Sequence, residues 1–129
     1  MTNEIVTNFT IWGRELPIKI TYDCFEGEEV TEVQKETYEQ VMCNLDIILE
    51  EAHEMFKNYC FKFYKEQMDD DFENIFRYIK PKELYIKRSS IGKKIAGLLC
   101  NFKFDLEHGL VAYIEDGKVT KIDTQDIIL

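Results

Sequence analysis

The last thirty residues, Cys100 to Leu129, constrain the fold more than any other stretch of the chain. An apolar run leads into Asp105-Leu106-Glu107-His108-Gly109. A second apolar run ends at Asp116-Gly117, a third follows, and the sequence closes on Gln125-Asp126-Ile127-Ile128-Leu129. Asp-Gly between two alternating runs is the signal of a two-residue type I′ hairpin, because both central residues must adopt positive φ. The segment therefore predicts an antiparallel three-strand meander with an acidic, histidine-containing turn.

The N-terminal end predicts a hairpin. Ile5, Thr7, Phe9 and Ile11 alternate with Val6, Asn8, Thr10 and Trp12, Gly13-Arg14-Glu15 turns the chain, and Leu16, Ile18, Ile20 and Tyr22 alternate again. Pro17 places the second strand at an edge or a strand end. Thr31 then starts a helix whose stripe is Val30, Val33, Thr37, Val41 and Leu45. Asn44 or Asp46 caps a second helix, striped by Ile48, Ala52, Met55, Tyr59 and Phe63. After the polar break Met68-Asp69-Asp70-Asp71, a short helix is expected over Phe72, Ile75, Phe76 and Ile79, closed by Pro81. Leu84 to Arg88 reads as a short strand, Ser89-Ser90-Ile91-Gly92 as a turn, and Lys93 to Phe104 as a long central strand. The whole predicts one α+β domain over residues 1–129. Its antiparallel sheet has about six strands, an N-terminal hairpin plus the C-terminal meander, with two to three helices on one face.

Composition bounds the function. At 129 residues and 45% hydrophobic, the chain can build a core without metal or disulfide staples. A net charge of −9 makes nucleic acid a poor partner, since phosphate binding needs a basic footprint, and suits basic protein partners instead. No apolar stretch approaches a membrane span, and the N-terminus lacks a basic region followed by an apolar run. With Cys24, Cys43, Cys60 and Cys100 widely spaced, the expectation is a cytoplasmic protein with free, buried thiols.

Charge is segregated. From Asp23 to Glu54 there are eleven acids and one base, and from Arg77 to Lys94 seven bases and one acid. An acidic helical surface carrying Glu28, Glu29, Glu32, Glu36 and Glu39 is the expected contact for a basic partner. The stretch is equally consistent with solvated faces paired to each other.

Catalytic and metal motifs are sparse. Asp105, Glu107 and His108 form the best polar cluster, suited in principle to a general base or a metal ligand. Turn chemistry explains the same residues, because Asp105 can bond the turn backbone and Gly109 permits a left-handed conformation. Glu50-Glu51-Ala52-His53 holds one Glu-x-x-His, where a di-iron bundle needs two plus further carboxylates. Ser90-Ile91-Gly92-Lys93-Lys94 lacks the upstream glycine of a phosphate loop. No metal set and no cofactor are expected. Binding is favoured over a hydrolytic or metal-dependent enzyme centred on the 105–108 turn, and a homodimer through an exposed sheet edge is the third reading.

Several motifs carry a resemblance: Ile11-Trp12-Gly13-Arg14-Glu15, Tyr22-Asp23-Cys24-Phe25-Glu26-Gly27-Glu28, Pro81-Lys82-Glu83-Leu84-Tyr85-Ile86-Lys87-Arg88, Cys100 to Gly109, and Gln125 to Leu129. Over most of its length the chain resembles a family of small acidic bacterial proteins of unknown function. In size and acidity such proteins are similar to the immunity proteins of bacterial toxin systems, an analogy that implies a stoichiometric inhibitor of a toxin domain.

Overall fold

The computed structural model describes residues 5–69, 72–89 and 91–129. Asp70 and Asp71 of the polar break, and Ser90 of the turn and the incomplete phosphate-loop motif, lie outside them. The elements are β1 (Ile5–Ile11), β2 (Arg14–Tyr22), α1 (Glu32–Cys43), α2 (Leu45–Phe63), β3 (Ile79–Ile86), β4 (Ile95–Phe102), β5 (Leu110–Glu115) and β6 (Lys118–Asp123). Single 3-10 turns cover Lys65–Gln67, Ile75–Arg77 and Gln125–Ile127. Among the described residues no helix is long and apolar enough to cross a membrane.

The six strands lie in chain order, β1-β2-β3-β4-β5-β6. The fold is α+β, but the sheet is mixed rather than antiparallel. β2 and β3 run parallel, from Lys19↔Glu83 to Tyr22↔Ile86. A parallel pair needs a crossover of a dozen or more residues. The helical connection from Asp23 to Tyr78 supplies it.

Both prolines sit just outside this parallel ladder. Pro17 precedes Lys19 and pairs only with Asn8 of β1. Pro81 precedes Glu83, pairs only with Cys100 of β4, and adjoins a bulge between Pro81 and Glu83. Each thus occupies a stretch with one neighbouring strand, where its missing N–H need not break a ladder. Pro81 therefore does not close a helix. The helix expected over Phe72–Ile79 is a single 3-10 turn, Ile75–Arg77, capped by Asn74 Oδ1 accepting from the Phe76 N–H at 3.1 Å. Ile79 already belongs to β3, and the residue before a proline disfavours helix.

α1 starts at the expected cap. Thr31 and Gln34 form a reciprocal capping box. Its buried stripe is Gln34, Thr37 and Val41 rather than Val30 and Val33. Gln34 is fully buried because it has backbone to satisfy. Its amide Nε2 donates to the carbonyls of Asp23 at 3.0 Å and Ile86 at 3.3 Å, and its Oε1 accepts from the Thr31 N–H at 2.9 Å. It thereby ties the ends of β2 and β3 to the helix. Thr37 is likewise satisfied, its hydroxyl donating to the Val33 carbonyl at 2.6 Å.

α2 buries Ile48, Leu49, Ala52, Phe56 and Cys60. That stripe is rotated from the expected one: Met55 and Tyr59 are only half-buried, and Phe63 is 57% exposed. The main core lies between the helices and the sheet, centred on Phe56, Phe102, Ile11, Ile18 and Ile48.

β4 holds the expected central position and is buried on both faces. On the face away from the helices, Ile95, Leu99, Val111 and Ile128 form a second, smaller cluster. The C-terminal 3-10 turn covers it. A Cβ on Gly97 would lie 2.7 Å from Val111 Cγ2 and 2.8 Å from Ile128 Cδ1, so glycine is what lets the strap close. Lys87 Nζ donates to the Ile128 carbonyl and Gln125 Nε2 to the Cys100 carbonyl, both at 3.0 Å.

Asp116-Gly117 is the expected turn, with φ of 50° and 82°. The N-terminal turn has the same form one residue earlier than the sequence suggests. Ile11 pairs with Arg14, and Trp12 and Gly13 are the two central residues, with φ of 49° and 82°.

Candidate functional site

The acids of the α1 region meet the basic stretch in the fold. Arg88 Nη2 lies 3.6 Å from Glu28 Oε2, and its Nη1 donates to the Glu29 carbonyl at 2.9 Å. Lys94 pairs with Glu36 at 3.6 Å, and Lys35 with Glu32 at 3.4 Å. Partly exposed pairs of this kind contribute at most about 1 kcal/mol each. Their consequence is electrostatic: three of the five sequence-nominated acids already face a cation. Glu29 and Glu39 have exposed side chains.

The Asp105–His108 turn is closed on itself. Asp105 Oδ1 accepts from the His108 backbone N–H at 3.1 Å, and its carbonyl accepts from the Gly109 N–H at 2.9 Å. His108 Nδ1 lies 3.0 Å from Asp105 Oδ2. Glu107 is exposed and does not join this pair through a hydrogen bond. The side-chain bond to Asp105 and then its charge raise the His108 pKa above the ordinary histidine value. A raised folded-state pKa stabilises below the unfolded value, and that contribution is lost as pH rises through the folded one. Accordingly, the His108 imidazole should titrate above pH ~6.5 by NMR and fall back toward that value in Asp105→Asn. An unmoved midpoint would contradict the contact.

The four cysteines are free. Cys60 and Cys100 are buried, and burial pushes the Cys60 thiol up to about 12 and Cys100 further up. Both are inert as nucleophiles at neutral pH. Cys24 is half-buried and Cys43 exposed, so the expectation of burial holds for two of the four. Among the described residues no group of three or more His, Cys, Asp or Glu side chains is placed to hold a metal ion.

Among the described residues, a cleft lies where the β1–β2 turn packs on α2. It has a volume of about 680 Å³ and is bounded by Trp12, Asp46, Leu49, Glu50, His53 and Glu54. It adjoins a recess of about 280 Å³ that shares Trp12 and His53 and is closed by Arg14, Asn74 and Phe76. The indole N–H of Trp12 donates to the Leu49 carbonyl at 2.8 Å. Its ring meets His53 edge-on at 5.6 Å and Phe56 at 6.0 Å. Arg14 stacks its guanidinium 4.1 Å above the Phe76 ring.

Burial lowers the His53 pKa below the ordinary histidine value, against the pull of Glu54. The Glu50-x-x-His53 spacing does bring both residues to one cleft, as helical periodicity requires, but as part of an acidic wall beside an aromatic floor. Asp46, Glu50 and Glu54 form no ion pair within the described residues. A bulky residue at φ 49° is uncommon and costs roughly 1–3 kcal/mol. The Leu49 hydrogen bond and the ring contacts hold Trp12 there. The sequence signals were a tryptophan directly before a turn glycine and the Glu50-x-x-His53 spacing; nothing local linked the two.

A family model described as a domain of unknown function (DUF6985) matches residues 2–129. The chain belongs to this family. No curated protein and no solved structure matches the chain.

Proposed function

We propose that this DUF6985 member is a non-catalytic protein-binding domain that docks a basic partner on an acidic helical surface. The observation that carries the reading is the Trp12 cleft. The Trp12 indole, on a left-handed backbone, and the His53 imidazole form an aromatic floor beside three carboxylates that lack a cationic partner among the described residues. An arginine or lysine side chain fits both halves, the ring face by cation–π attraction and the carboxylates by charge-assisted hydrogen bonds. Of the acids on the α1 surface, Glu28, Glu32 and Glu36 are already engaged by cations, and Glu29 and Glu39 are exposed. An immunity-type inhibitor that occludes a toxin domain is the form of this function that size and acidity favour.

Trp12 is the only tryptophan in the chain, so its fluorescence reports the cleft. A partner recovered from the native cell should shift that emission on titration. Neutralising Asp46→Asn, Glu50→Gln and Glu54→Gln together should weaken binding at least tenfold, about 1.4 kcal/mol, and flatten its salt dependence. Unchanged affinity in the triple variant would remove the cleft from the interface.

A further inference from the structure

We infer that the free edge of β1 is the interface of a two-fold homodimer, in which β1 pairs antiparallel with β1 of a second copy about Asn8 and the two sheets become one. The inference does not rest on the Trp12 cleft.

The β1–β2 hairpin fixes which backbone groups face outward. A two-residue turn closes on a hydrogen-bonded pair, here Ile11–Arg14, and the pair types then alternate along the ladder. Phe9–Leu16, Thr7–Ile18 and Ile5–Ile20 are therefore the hydrogen-bonded pairs, and Thr10–Glu15, Asn8–Pro17 and Val6–Lys19 are the open ones. Pro17, which has no N–H, falls on an open pair, as this alternation requires. β1 ends the sheet, so the N–H and C=O groups of Val6, Asn8 and Thr10 point away from it and meet no backbone partner among the described residues.

The two edges of the sheet differ. β6 carries Lys118, Lys121 and Asp123, shifts register against Tyr113 and Ile114, and packs beside α2. Charge, bulge and cover are the devices that keep an edge from pairing. β1 has no charged residue, no proline and no register shift. It also leaves apolar side chains in solvent, Ile5 at 53% and Val6 at 64% exposure.

The occupant follows from the strand's own sequence. Two chains of net charge −9 repel one another, and β1 offers them a contact with no charge in it. Asn8 is the middle residue of the strand. A two-fold axis normal to the sheet at Asn8 pairs the whole of β1 with itself, whereas an axis at Thr10 would set Asn8 against Trp12 of the turn. About Asn8, Asn8 meets its own equivalent and Val6 meets Thr10. These are the residues whose N–H and C=O groups face outward, so each pair exchanges two hydrogen bonds. Val6 and Thr10 are β-branched and suit a cross-strand pair. Within each copy Val6 adjoins Lys19 and Thr10 adjoins Glu15. The two rows flanking the axis therefore each run from a lysine in one copy to a glutamate in the other. Each contact off the axis occurs twice, as an isologous interface requires.

The test is sedimentation velocity on the full chain across the micromolar range at low ionic strength, with circular dichroism to confirm folding. Wild type should move from the monomer to twice its mass as concentration rises. Asn8 is exposed, so its variants should fold. Asn8→Lys and Asn8→Asp each set two like charges against each other on the axis and should each raise the dissociation constant roughly tenfold. An equimolar mixture of the two variants should recover the dimer, now as a heterodimer, which only an axis at residue 8 predicts. A chain that stays monomeric throughout overturns the inference. So does a dimer that ignores both substitutions, or a mixture that associates no better than its components.

Discussion

Gly109→Ala is expected to destabilise the domain by about 2–5 kcal/mol, from left-handed strain plus overpacking. Gly109 is buried at φ 61°. An added Cβ would lie 2.7 Å from the Cys100 carbonyl oxygen and 2.3 Å from Gln125 Nε2. The carbonyl belongs to the central strand and cannot move aside. The amide can move only by giving up its own bond to that carbonyl, the bond that anchors the C-terminal turn. Urea unfolding should show the midpoint falling at an unchanged slope. A loss below about 0.5 kcal/mol, the range of an ordinary surface change, would show that the turn relaxes freely.

Phe56→Ala should cost about 3–5 kcal/mol, the usual range for deleting a fully buried aromatic ring. Phe56 is 0% exposed and stands edge-on to Trp12 at 6.0 Å. The substitution has a second readout. Removing the ring takes away one wall of the indole, so the Trp12 emission should move to longer wavelength in the folded state. A stability loss without that shift would mean that the Leu49 hydrogen bond alone fixes the indole.

The C-terminal meander was legible because it depends on local chemistry. Asp116-Gly117 needs positive φ at both positions, and that requirement is written in two residue types. The direction of β3 was not legible. Alternation of Leu16, Ile18 and Ile20, or of Leu84 and Ile86, states which face is buried but not which way the strand runs. The path of the crossover decides that. Pro81 misled for a related reason: a proline excludes helix and also tolerates a strand with one neighbour. The α2 stripe was misread because its aromatics surround the helix, and Phe56 and Cys60 score no differently from Met55 and Tyr59 until the sheet selects a side.

The candidate site was legible only in part. The bond from Asp105 to the turn backbone followed from turn chemistry, and the structure keeps it; the His108 ring contact to Asp105 came with the fold. The Trp12 cleft joins a hairpin turn to a helix far along the chain, so the Glu50-x-x-His53 spacing was visible but its meeting with Trp12 was not. The nominated acids Glu28, Glu32 and Glu36 were a fair reading of composition. The pairing of Glu32 with Lys35 is local to α1, but those of Glu28 with Arg88 and Glu36 with Lys94 needed the fold.

The parallel pairing of β2 and β3 also bears on how the domain comes together. The β1–β2 hairpin and the β3-to-β6 meander each close through short loops and can form quickly. The four register pairs that join them must instead wait for the longest loop in the chain to close. Gln34 sits across that joint, bonded to the carbonyls of Asp23 and Ile86. The domain is thus two locally assembled halves fastened late along one seam, and one glutamine side chain is the clasp.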